Sequence, residues 1–347
     1  MISGRFYNFR SSVLHLCLAL VIVFSATGAA LASGLIINSF NNDRALEYDP
    51  LTGEFVKSFT QFGLVMPESI FINGREDTFI SSAGTDEILV YAGPTGALID
   101  VFVTAGSGGL DFPTDFEFGP GGDLYVASFE TDEILRYNGN TGDFIEAFVT
   151  AGSGGLEGPT ALVFTNNKLL VASQDTNEVL EYNSSTGDFV QVLVAAGSGG
   201  LSSPDSLLIH NNNLLVASFD TDEVLNYNRG NGAFLGAFIS AGSGGLDGPT
   251  CLSRGQQGGG QVFVCSFNSD QVLEYSRTNG AFIREFITAG SGTLDGPTGM
   301  AFKPGVFSNS DCSLAQAGEE YSFPYLLLLV PFLFIAVRRL IASGSRA

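Results

Sequence analysis

Few side chains in this chain of 347 residues are equipped for chemistry. Of its two histidines, His15 sits in an apolar N-terminal stretch, which leaves His210 alone beyond it. A lone histidine beside a turn reads as solvated surface, and no Ser-His-Asp arrangement can be assembled around it. Carboxylates are plentiful, with 36 acidic against 15 basic residues and a formal net charge of −21. Three of them stand out by position. Glu68 and Asp205 directly follow a recurring proline, and Asp115 lies two residues after another. Hard oxygen donors of this kind suit Ca²⁺, but two opposed carboxylates alone are too few, and a polar lining for a wet channel explains them better. Cys251, Cys265 and Cys312 complete the reactive inventory outside the N-terminal stretch.

The elements that position these residues are set by an internal repeat. Prolines recur at 67, 113, 159, 204, 249 and 297, tyrosines at 48, 91, 137, 182, 227 and 275, and a glycine follows each tyrosine by five residues. A period in this range signals a solenoid, a propeller or an array. Within one unit, four short runs rich in β-branched and aromatic residues are predicted as strands A (Thr114–Phe118), B (Leu124–Ser128), C (Ile134–Tyr137) and D (Phe144–Val149). None has an apolar stripe at helical spacing. Four antiparallel strands per unit describe a propeller blade. Five complete sets begin at the prolines from Pro67 to Pro249. Leu35–Thr60 supplies only B, C and D, and Gly296–Phe302 only A. Together these ends predict a sixth, composite blade that leaves no frayed edge. The expected fold is therefore all-β, a six-bladed β-propeller.

The repeat also places the cysteines. Cys251 and Cys265 fall on strands A and B of one blade, where Ala161 and Ala172 stand in another. They should face each other across a hairpin, either as a disulfide or as two small buried side chains in place of alanine. The recurring AGSGGL tract lacks the lysine of a phosphate loop and opens no helix, so it reads as a flexible, tight interblade connection. Asp43, Asp86, Asp132, Asn177, Asp222 and Asp270 recur between B and C and are expected to bond amides within their own turns.

The copies GPTGMAF and LYVAS, and the block SFNNDRALEYDPLTGEF at 39–55, resemble NHL-repeat propellers and the wider group containing SMP-30/gluconolactonase and virginiamycin B lyase-like enzymes. The resemblance covers about residues 34–305. It implies a six-bladed propeller and, in the lactonase-like branch, a divalent cation in the central channel. By that resemblance Glu68, Asp115 and Asp205 are the metal candidates, with Glu68 and Asp205 three blades apart. Thr114, Thr160, Thr250 and Thr298 occupy the other copies of the position after proline, where those enzymes would show Asn, Asp or Glu. No histidine is placed for lyase chemistry.

The ends carry their own signals. Residues 1–32 contain Arg5 and Arg10, an apolar run and Ala30-Leu31-Ala32, as in a signal peptide. Residues 33–305 form the propeller and 306–320 a polar linker with Cys312. Residues 321–339 are an apolar segment closed by Arg338 and Arg339, and 340–347 a cytoplasmic tail. This three-part end resembles bacterial surface-sorting signals, with the Cys312 neighbourhood as the processing motif, or else a plain membrane anchor. The acidic field disfavours nucleic acid. The reading is an exported, surface- or membrane-anchored monomer that binds a protein or glycan at one rim, with the long A–B loop at 253–261 a candidate contact. No cofactor is required by it. The alternative is a Ca²⁺-dependent lactonase- or lyase-like enzyme with its site in the channel.

Overall fold

The computed structural model describes residues 34–60, 62–255 and 261–304. The chain divides into two units, Met1–Asp311 and Cys312–Ala347, and every described residue belongs to the first. The expected signal peptide, Cys312 and the C-terminal apolar segment lie outside the described residues. No helix among the described residues is long and apolar enough to cross a membrane.

Six four-stranded antiparallel sheets form the propeller, each in the order A–B–C–D. In blade 2 the strands are Pro113–Phe118, Leu124–Ser128, Glu133–Tyr137 and Phe144–Val149. Blade 6 joins both ends of the domain: strand A is Pro297–Phe302, and B, C and D are Leu35–Ser39, Arg44–Tyr48 and Phe55–Ser58. Leu35 pairs with Phe302 and Ile37 with Met300. The edges that open-ended strands would expose are thereby paired within the domain.

Burial follows strand position. The B strands of blades 2 and 6 are buried on both faces, whereas the D strands of blades 1 to 5 begin exposed and turn inward at their ends. The apolar cores lie between neighbouring blades. One joins Tyr125 and Phe148 of blade 2 to Leu162, Leu169 and Tyr182 of blade 3. Another joins Leu35 and Tyr48 of blade 6 to Phe263 and Phe286 of blade 5.

The repeated residues fasten one blade to the next. Each signature tyrosine is fully buried, and its hydroxyl donates to the preceding connection. Tyr137 bonds the Ser107 carbonyl at 2.7 Å and Tyr227 the Ser198 carbonyl at 2.6 Å. A buried phenol needs such an acceptor. The connection that receives it is the tight interblade link expected of AGSGGL. It forms a 3-10 turn held by backbone bonds, with Gly106, Gly108 and Gly109 at positive φ. Gly108 cannot carry a side chain, because an added Cβ would lie 2.1 Å from the Phe144 ring.

The recurring Asp/Asn differs from expectation. It sits in the left-handed region, and its side chain reaches the next blade rather than its own turn. Asp86 accepts from Phe112 N at 2.9 Å, Asp132 from Gly158 N at 2.7 Å, and Asn177 from Ser203 N at 2.7 Å. Asp43, Asp222 and Asp270 do the same to Met66, Gly248 and Gly296.

Candidate functional site: the channel mouth

The residues after the six prolines converge on a cavity of about 300 Å³ at the end that carries the D–A and B–C connections. Four of the six are threonines that link the A strands in sequence. The hydroxyl of Thr114 donates to Pro159 O (2.7 Å), Thr160 to Pro204 O (2.7 Å), Thr250 to Pro297 O (2.6 Å) and Thr298 to Pro67 O (2.6 Å). Each bond spans to the next blade, so the threonines are structural rather than vacant ligand positions.

Glu68 and Asp205 break this chain of bonds in blades 1 and 4. Neither carboxyl has a hydrogen-bond or ion-pair partner among the described residues, and both line the cavity. Each keeps a little surface toward the cavity and is otherwise enclosed by protein. Desolvation pushes Asp205 up to about 8, with a smaller repulsive contribution from Asp115. Glu68 is raised well above the carboxylate range by desolvation, then by Asp205 and Asp115. Burial disfavours the charged form, and like charges in one site add to that. The Glu68 backbone is fixed by its neighbours. Asn38 Nδ2 donates to Glu68 O at 2.9 Å, and Gly299 packs so closely that a Cβ there would stand 2.2 Å from the same oxygen.

Asp115 lines the same cavity but is otherwise engaged. Its carboxylate accepts from Ser69 Oγ (2.7 Å), Phe116 N (2.8 Å) and Leu162 N (2.9 Å). Desolvation still raises it, against these three bonds. Two residues further along the same strand, Glu117 accepts from Phe164 N at 3.0 Å and is raised by burial to about 8. Among the described residues no three His, Cys, Asp or Glu side chains are grouped to hold a metal ion. Glu68 and Asp205 thus remain as free carboxyls, with Asp115 already holding blade 2 to its neighbours.

Three further residues bear on this site. Phe112 and Phe129 wall the mouth as an edge-to-face pair with centroids 6.0 Å apart. Asn38, fully buried behind Glu68, has its Oδ1 unpartnered among the described residues. Asn38 and Phe112 could have been found as departures from the repeat. Asn38 stands where Ala127, Ala172 and Ala217 stand in other B strands, and Phe112 occupies a positive-φ position held by Gly158, Gly248 and Gly296 elsewhere.

Charge is uneven around the mouth. Every B–C connection carries an acidic residue, the D–A and B–C connections contain no Lys or Arg, and Arg44 opens strand C of blade 6 directly after one of them.

The other expected residues lie elsewhere. Cys251 and Cys265 are joined as a disulfide with Cα atoms 4.9 Å apart. His210 is not solvated: it is 5% exposed at the end of strand A of blade 4, Pro204–His210, and packs against Phe238.

No family model matches the chain, and no curated protein matches it. Solved structures do. The chain is similar to a protein of unknown function from Bacteroides caccae, at 15% identity, covering 78% of this chain and 99% of that one with a TM-score of 0.59. It is also similar to a chain of the nidogen/laminin complex, at 12% identity, covering 78% and 98% with a TM-score of 0.62. At such identities the likeness establishes the fold. The chain is a six-bladed β-propeller.

Proposed function

We propose that this is an exported, surface-displayed propeller of NHL-like repeats that acts as a binding module, and that its acidic end receives a positively charged partner. Beyond electrostatic attraction over the rim, one cationic group enters the channel mouth between Glu68 and Asp205. The observation that carries this reading is the pair of carboxyls standing where threonine closes the other blades, largely enclosed and without a partner among the described residues. An ammonium or guanidinium group from a basic protein segment would supply the missing donors and the opposite charge. The cavity volume suits a side chain. Steering by the rim would speed association at low salt and lose force as salt screens it.

An oligolysine peptide titrated into the full chain tests this. Affinity should fall with added salt, and Glu68→Gln with Asp205→Asn should weaken binding at least tenfold at fixed salt. Unchanged affinity in the double variant would remove the channel from the proposal. A second reading, a Ca²⁺-dependent lactonase- or lyase-like site, draws on the convergence of Glu68, Asp115 and Asp205 on one cavity. It requires Ca²⁺ to raise the melting temperature after EDTA treatment.

A further inference from the structure

The two free carboxyls of the channel mouth stand at matching stations. Blade 1 reads Pro67-Glu68-Ser69 and blade 4 reads Pro204-Asp205-Ser206, an acid followed by serine. The other four blades read Pro-Thr, followed by Asp115, Ala161, Cys251 or Gly299. In a ring of six blades the first and fourth face each other across the channel. The serines of both stations are spent on the following blade. Ser69 Oγ donates to Asp115 Oδ1 at 2.7 Å, and Ser206 Oγ accepts from Leu252 N at 3.2 Å.

When ionised, each station offers acceptors and no donor. The threonines deliver hydroxyls to the carbonyls of Pro159, Pro204, Pro297 and Pro67. They skip those of Pro113 and Pro249, which follow Glu68 and Asp205 around the ring. The two carboxyls line one cavity, yet they bond neither each other nor another described residue. An independent observation lies behind the blade 1 station. Asn38 is 0% exposed, and its Nδ2 donates to Glu68 O at 2.9 Å and to Ser69 O at 3.3 Å. Its Oδ1 is a further buried acceptor without a donor among the described residues.

The cavity is not polar throughout. One residue beyond the serines, and at the same strand position in blades 5 and 6, it is lined by Ile70, Leu207, Leu252 and Met300. A single cation between two ionised carboxyls would leave one negative charge enclosed, at a cost that a second cation removes. Ammonium groups match the two stations, and methylenes match the apolar lining. We infer that the channel mouth binds an aliphatic diamine or polyamine, with one ammonium group at Glu68, a second at Asp205 and the carbon chain over the apolar lining. The inference rests on the mouth being a cation site, and adds to it a second charge and a free small-molecule ligand.

The test is calorimetric titration of the full chain at pH 8 with a series of α,ω-diamines from 1,3-diaminopropane to 1,8-diaminooctane. Affinity should pass through a maximum at one chain length, where the distance between the ammonium groups matches that between the stations. The diamine of that length should bind about tenfold or more tightly than the monoamine of equal carbon count. Glu68→Gln and Asp205→Asn, each confirmed as folded by circular dichroism, should separately bring the diamine down to the affinity of the monoamine. Absence of diamine binding overturns the inference, and so does a monoamine that binds as tightly. Oligolysine titrated in parallel separates this failure from that of the mouth as a cation site. Oligolysine binding that still weakens in Glu68→Gln with Asp205→Asn keeps the mouth and removes only the second ammonium station.

Discussion

Replacing Asp205 by asparagine should make the protein more stable, and by an amount that grows with pH. Burial raises this carboxyl from an ordinary value of 3.8 to about 8. Between those values the folded chain holds a proton that the unfolded chain has released. Stability therefore falls as pH rises through that window, by 1.36 kcal/mol per pH unit for one group. From pH 5 to pH 7 the wild type should lose about 3 kcal/mol on this account. This is an upper figure, since the cavity admits water. Asparagine has no proton to lose. Losing that titration flattens the profile. The asparagine amide can donate to the Pro249 carbonyl, as Thr250 donates to that of Pro297. Urea melts of wild type and Asp205→Asn at pH 5, 6 and 7 read the difference directly. The gap between them should widen in favour of the variant at each step. Parallel profiles would refute the claim that a buried, unpartnered carboxyl is carried at this position.

Further outcomes follow from the interblade bonds. Tyr137→Phe removes the hydroxyl that bonds Ser107 O at 2.7 Å and should cost about 1 kcal/mol in a denaturant melt. Asp222→Ala strands the Gly248 amide that now donates at 2.8 Å and should cost about 1–2 kcal/mol; Asp222→Asn should be nearly neutral, because Asn177 makes the same bond in blade 3. Reducing the Cys251–Cys265 disulfide, which closes a loop of sequence separation 14, should cost up to about 3 kcal/mol, and free thiols at both residues in unreduced peptide maps would count against the bond. Adding Ca²⁺ after EDTA should leave the melting temperature unchanged if the mouth takes an organic cation, whereas a large rise would favour the metal-dependent enzyme.

The architecture was legible because the repeat states it six times. The spacing of Pro, Tyr and Gly defined each unit, and turn residues bounded four short strands within it. The composite blade followed from which strands Leu35–Thr60 and Gly296–Phe302 lacked. What the repeat could not show was the partner of each repeated side chain. Asp86 and its copies look like ordinary turn residues, and only the ring brings Phe112 N, in the next blade, within 2.9 Å. His210 was misjudged for a related reason. Its place beside a turn suggests water, but neighbouring strands close over it, and Phe238 covers the ring. Asp115 looked like a free ligand because sequence does not reveal that Ser69 and Leu162, from two different blades, already bond its carboxylate.

These misreadings share a cause that also locates function. In a propeller each position is sampled six times, so a residue kept in most blades is explained by the contact it makes with the next. The threonines after proline are of this kind, and so are the tyrosines. A residue that breaks the pattern gives up that contact and has to be explained otherwise. Glu68 and Asp205 forgo the bond to the following proline carbonyl and take on the cost of a buried carboxyl. Asn38 replaces alanine and leaves a buried oxygen unpaired. Each departure makes the isolated domain less stable than the repeat alone would allow. The cation proposed for the channel mouth would offset that cost for Glu68 and Asp205, at an end of the ring that ligands can reach.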